Sequence, residues 1–185
     1  MDALVTLSLV FLLATFLPYL FYVLLFFLIR PDPSSLDTPQ SLPPVSIILP
    51  TFNESSIIEK KLKDLFSLDY PLDKIELVVI DSSTDETPTI ISSFFKNIKT
   101  TRLILIKESE RRGLAVALNE AYAAATHDIV IKTDCDSLLD PYCLKKAVSH
   151  FSDGTVGAVT GTNMEVLGGS KVESGYRSVQ SYIQL

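Results

Sequence analysis

The sequence predicts an α/β domain on a mostly parallel sheet, preceded by one transmembrane helix. Three observations predict this. From Ala3 to Ile29 the chain carries no charge. A proline- and serine-rich stretch, "PDPSSLDTPQSLPP", follows at residues 31–44. Beyond it, near-continuous Val/Ile/Leu runs alternate with amphipathic segments, the pattern of strands covered on both faces and separated by helices.

Composition bounds the answer. With 185 residues, 47% hydrophobic and 21% charged, the chain is long enough for one compact domain and a membrane segment. A net charge of -6 argues against a nucleic-acid partner, which calls for a basic stripe; the only dense basic cluster is "ERRG" at 110–113. Cys135 and Cys143 are the only cysteines, too few for a disulfide framework, and with His127 and His150 they match no structural-zinc spacing.

The uncharged stretch is about 27 residues, or ~40 Å as a helix, against a hydrocarbon core of ~30 Å. Pro18 in its middle is expected to kink it, which membrane helices tolerate. A signal peptide is disfavoured, because a basic leading region and a small-residue cleavage site are missing. Asp2 precedes the span, while Arg30, Lys60, Lys61 and Lys63 follow it, a bias that puts the following domain in the cytoplasm. The expected organisation is therefore a transmembrane helix over 1–30, a linker over 31–44 and a domain over 45–185.

Within the domain, "VSIILP" reads as a buried strand. "SSIIEKKLKDLFSL" puts Ile57, Ile58, Leu62, Leu65 and Phe66 on one helical face, with Ser55 or Ser56 as its cap. "KIELVVID" is a second strand, and "STDETPTIISSFF" a helix capped by Ser83 or Thr84 with Pro88 near its start. "RLILIK" is a third strand, "GLAVALNEAYAAA" a helix and "DIVIKTD" a fourth strand. "DPYCLKKAVSHF" is a further helix and "VGAVTGT" a further strand.

In parallel sheets, ligands bind beyond the carboxyl ends of the strands. The polar stretches "PTFNE", "DSSTD", "KESERRG" and "DCD" all follow strands and so share that edge, which gathers Glu54, Asp81, Asp85, Asp134 and Asp136. A plainer reading, that Asp85 and Ser83 only cap a helix, stands beside the functional one. It does not serve Asp134 and Asp136, because Asp140, before Pro141, is the better cap for the next helix. A crowded carboxylate pair suits a hard divalent cation, Mg²⁺ or Mn²⁺, which takes oxygen ligands and keeps positions open for a diphosphate. Cys135 between the two acids points the other way by strand alternation and reads as core filler.

"VSIILPTFNE", "ELVVIDSSTDET", "RRGLAVALNEA" and "IVIKTDCDS", taken in order, resemble the successive motifs of the family 2 glycosyltransferases. The resemblance covers roughly residues 45–161. It implies a Rossmann-like sheet of the glycosyltransferase A type and a nucleoside diphosphate sugar, UDP- or GDP-linked, as donor. It further implies that Thr51, Asn53 and Glu54 line the nucleoside pocket and that Asp81 faces the base. Arg112 or Gly113 would lie near the diphosphate. Asp134 and Asp136 would be the family's Asp-x-Asp metal motif, with Asp136 on the metal and Asp134 on the ribose or in the metal's outer sphere. The acceptor would be lipid-linked or a glycan.

Some of the family pattern is absent. Ile80 and Ser82 stand where its second motif more often has an acid and a glycine. An acidic general base for the acceptor has no counterpart, with Glu165 and Glu173 the only late acids, so the catalytic residue is unassigned. Because "YRSVQSYIQL" also carries no helix stop signal, the domain is expected to be incomplete at its C-terminus. A non-catalytic nucleotide-sugar-binding module is the alternative to an enzyme. A nucleotidyltransferase is disfavoured, since "PTFNES" has no glycine for a phosphate loop.

Overall fold

The computed structural model describes residues 3–28, 41–161 and 165–166. The chain divides into two compact units, Met1–Leu36 and Asp37–Leu185. In the first, helix α1 spans Ala3–Leu28 and continues through Pro18. Its segment Ala3–Leu25, with a mean hydropathy of 2.2, is long and apolar enough to cross a membrane. Leu4, Phe11, Phe16 and Leu20 are all exposed on it. Two of its hydroxyls bond back to the helix, as they would in hydrocarbon: Ser8 Oγ donates to the Leu4 carbonyl at 2.8 Å, and Thr15 Oγ1 to those of Phe11 and Leu12 at 3.0 and 2.8 Å.

The second unit is built on a parallel sheet of β1 (Val45–Thr51), β2 (Ile75–Asp81), β3 (Arg102–Lys107) and β4 (Ile129–Lys132), in the order β3-β2-β1-β4. The helices are α2 (Ile58–Phe66), α3 (Thr87–Phe95), α4 (Leu114–Ala124) and α5 (Cys143–His150). Strand alternation sorts the core into two layers. Ile47, Leu49, Leu77 and Val79 meet Ile58, Leu62 and Leu65 of α2, Ile91 of α3, and Leu144 and Val148 of α5. Ile48, Val78 and Ile80 meet Ala117 and Ala121 of α4. Full burial of side chains such as Ile47 and Leu62 contributes about 1.5–3 kcal/mol each relative to exposure.

This order places the site. The chain leaves β1 for β2 and β3 on one side, then returns through α4 to β4 on the other, so the strand order reverses beside β1. Thr51, Asp81 and Lys107 lie in register at the strand ends. β4 stops at Lys132, opposite Ile48, while β1 runs on to Thr51.

Several local expectations are corrected. Ser55 and Ser56 do not cap α2; its first turn is closed by the Ile57 and Ile58 N–H groups donating to the Glu54 carbonyl at 3.0 and 2.9 Å. Ser83 and Thr84 do not cap α3. Asp85 does that work, its Oδ1 accepting from the Thr87 N–H and hydroxyl at 2.9 and 2.5 Å, because a carboxylate two residues ahead reaches both donors. The fourth strand ends at Lys132 instead of running to Asp134, and a two-residue strand, β5 (Ser137–Leu138), pairs antiparallel with β6 (Glu165–Val166). "VGAVTGT" forms no strand over 156–161: Gly157 and Gly161 weaken extended structure there, and most of the segment is exposed, without burial to hold it. Linker residues 31–40, and "YRSVQSYIQL", lie outside the described residues.

Candidate functional site

The loops after β1, β2, β3 and β4 converge on a cavity of about 330 Å³. Thr51, Phe52 and Glu54 enter it from β1, Ser82 from β2, Glu108, Arg111 and Gly113 from β3, and Asp134, Cys135 and Asp136 from β4. A second cavity, lined by Ser83, Thr84 and Lys107, shares Phe52, Ser82, Glu108 and Arg111 with it. Of the residues expected from sequence, Thr51, Glu54, Gly113, Asp134 and Asp136 are brought together here, whereas Asn53, Asp81 and Arg112 do not line this cavity.

Each of those three has other partners. Asn53 sits at a φ of 57°, in the left-handed region that asparagine tolerates. Its N–H donates to Ser83 Oγ at 2.7 Å and its Oδ1 accepts from the Thr84 N–H at 2.9 Å, which ties the β1 loop to the β2 loop. Asp81 is fully buried. Its Oδ1 accepts from the Thr51 and Ser83 hydroxyls, at 2.6 Å each. Its Oδ2 has no hydrogen-bond partner among the described residues; an orphaned buried oxygen costs stability and calls for a reason. Arg112 is held by Glu108 at 3.0 Å and by Glu120. Its neighbour Arg111 lines the cavity instead, stacked over the Phe52 ring at 4.1 Å to the centroid.

Helix α4 opens on this cavity. Gly113 precedes it with a φ of 97°, which a side chain would strain although a Cβ there meets no atom within 4 Å. Leu114 and Ala117 of its first turn line the wall, so the positive end of the helix dipole meets the cavity.

The cavity is also lined by the carboxylates of Glu54, Glu108, Asp134 and Asp136. Burial, and then the charges of Asp136 and Asp85, push the Glu54 carboxyl up. Asp134 Oδ1 accepts from Lys132 Nζ, so Asp134 has a cationic partner of its own. Cys135 is buried in the core, and burial pushes its thiol up to about 12. No cluster of three or more His, Cys, Asp or Glu side chains able to hold a metal occurs among the described residues. The crowded oxygen donors nonetheless fit a hard divalent cation that takes one or two carboxylates and completes its shell with diphosphate oxygens and water.

Residues 46–180 match glycosyl transferase family 2. The chain belongs to that family. A solved mannosyltransferase from Pyrobaculum calidifontis, in complex with GDP-Man and Mn²⁺, is 38% identical with a TM-score of 0.71, covering 85% of this chain and 47% of that one. S. aureus TarS 1-349 in complex with UDP-GlcNAc is 28% identical with a TM-score of 0.54, over 60% of this chain and 31% of that one. Among curated proteins, Beta-monoglucosyldiacylglycerol synthase of Synechocystis is 32% identical over 71% of this chain and 27% of its own length. Probable glycosyltransferase YdaM of Bacillus subtilis is 29% identical over 71% of this chain and 32% of its own. The chain thus matches between 27% and 32% of the length of these two curated relatives.

Sequence reasoning missed Phe52, Ser82, Glu108 and Arg111. Only the spacing of Glu108 and Arg112, four residues apart, hinted that Arg112 would be engaged elsewhere.

Proposed function

We propose that this chain is the donor-binding part of a metal-dependent glycosyltransferase that moves a sugar from UDP or GDP to a lipid-linked or glycan acceptor. The observation that carries this is the cavity at the strand-order reversal, which Glu54, Asp134 and Asp136 line together with Arg111 and the start of α4, so that carboxylates and positive charge share one site. Complexes of the two solved relatives with GDP-Man and UDP-GlcNAc support the donor class.

Thr51 and Glu54 form the nucleoside side of the site, Asn53 ties their loop to the β2 loop, and Asp81, buried outside the cavity lining, offers in Oδ2 an acceptor for a base N–H. Arg111, beside Gly113, takes the diphosphate role that the sequence allotted to Arg112 or Gly113. Asp136 holds Mg²⁺ or Mn²⁺, with Asp134 oriented next to it by Lys132. A cation held there neutralises the charge that grows on the departing nucleoside diphosphate. The protein's part is to hold the donor still and its leaving group in a field of fixed charge. The anchor keeps the domain at the cytoplasmic face of a membrane.

Calorimetry tests the reading. UDP or GDP binding to the full chain in detergent should weaken about tenfold or more when EDTA replaces Mn²⁺, because the diphosphate then meets uncompensated carboxylates. Asp136→Asn should lose most of the gain that Mn²⁺ brings. Equal affinity with and without metal would overturn the proposal.

A further inference from the structure

One buried charge plays no part in the site as described. Helix α2 turns Ile58, Lys61, Leu62 and Leu65 inward, so a lysine occupies a position where the helical period calls for an apolar side chain. Its neighbours Lys60 and Lys63 are exposed, whereas Lys61 is fully buried. A buried ammonium is costly unless every proton finds a partner, and a methionine would fill the same space at less cost.

The partners of Lys61 lie on the carboxylate turn. Its Nζ donates to Thr133 Oγ1 at 2.9 Å, to the Ser137 carbonyl, and lies 3.7 Å from Asp64 Oδ2. Asp64 Oδ2 in turn accepts from the Leu139 N–H at 3.2 Å. Within the turn, Thr133 Oγ1 and Ser137 Oγ are 3.2 Å apart, and Ser137 Oγ donates to the Asp134 carbonyl at 2.9 Å. The turn that carries Asp134 and Asp136 is therefore gripped at both ends by one ion pair on α2, a distant helix. The ammonium also interacts favourably with the Asp134 carboxylate of that turn.

We propose that Lys61 is a positioning residue for the donor's metal: by tying Thr133 to Ser137 from below, it holds Asp134 and Asp136 at the spacing a divalent cation and its diphosphate require. This rests on the donor-site reading above and adds to it a residue that touches neither metal nor sugar. Groups that orient metal ligands without touching the metal commonly affect its affinity about 10- to 100-fold.

The test measures UDP and GDP affinity in EDTA and in Mn²⁺ for the full chain and for Lys61→Met, with circular dichroism and melting as controls on folding. Lys61→Met should bind the nucleotides in EDTA as the wild type does, and lose about tenfold or more of the gain that Mn²⁺ brings. A merely structural role would lower the melting temperature and leave that gain intact, which would overturn the inference. Thr133→Val, which removes one partner at nearly constant volume, serves if Lys61→Met fails to fold: a reduced gain supports the inference and an unchanged one overturns it. No Mn²⁺-dependent gain in the wild type would sink the donor-site reading and this inference together, whereas an intact gain in the variants sinks the inference alone.

Discussion

Replacing Asp81 by asparagine separates a carboxylate that reads a base from one that only braces a turn. Oδ1 of this fully buried side chain already accepts two hydroxyls, and Oδ2 has no partner among the described residues. Asparagine keeps an oxygen for Thr51 and Ser83 and puts an amide donor where Oδ2 was. Bonds to a charged acceptor contribute ~1.5–3 kcal/mol against ~0.5–1.5 for neutral ones, so the two brace bonds weaken by about 2–3 kcal/mol together, partly offset because no charge is buried any longer. At ~2–4 °C per kcal/mol, the melting temperature should fall by less than about 10 °C. The effect on binding is more selective. Uracil and guanine offer a ring N–H where cytosine and adenine do not, and its bond to Oδ2 is lost in the variant. Losing ~1.5–3 kcal/mol there means a Kd for UDP or GDP weaker by roughly 10- to 100-fold, with CDP and ADP little changed. The assay is competition among UDP, GDP, CDP and ADP in the wild type, Asp81→Asn and Asp81→Ala. Unchanged selectivity beside a lowered melting temperature would refute base reading and leave Asp81 as the brace of the β1 and β2 loops.

Asp85 predicts a response to acid. The Thr87 hydroxyl, against a smaller opposing effect of burial, holds its carboxyl down to about 2, with the Thr87 and Ser55 N–H groups adding to it. Because the folded value lies below the unfolded one of ~3.9, the stability it contributes is complete above about pH 5 and disappears as pH falls through about 2. Asp85→Asn should accordingly melt below the wild type at pH 6, the two converging near pH 2; a gap that persisted at pH 2 would count against this. The proposed cytoplasmic placement of the domain predicts that a reporter fused after Pro44 and active only in the cytoplasm will be active, and a signal only from a reporter of the opposite compartment would reverse it.

The main elements were legible because each obeys a rule local to its own segment. Buried runs such as Ile47–Leu49 and Leu77–Ile80 announce strands of a covered sheet, and the spacing of Ile58, Leu62 and Leu65 announces the inward face of α2. Helix starts were harder to read, since hydroxyls and carboxylates compete for the same N–H groups. Asp85 prevailed at α3, while Ser83 went to Asp81 and to the Asn53 N–H.

By itself the sequence determined that apolar strands end in polar loops, and that in a parallel sheet those loops share an edge; this gathered Glu54, Asp81, Asp85, Asp134 and Asp136, of which Glu54, Asp134 and Asp136 line the cavity, while Thr51 and Gly113 came from the family resemblance. Tertiary structure alone decided which of two adjacent arginines faces the cavity, because that depends on Phe52 on one side and Glu108 and Glu120 on the other. It alone decided that Lys61 is buried, through a bond to Ser137 from 76 residues away. Periodicity reports how one segment meets an apolar layer, and a charged residue follows or breaks that period according to partners that only folding brings within reach.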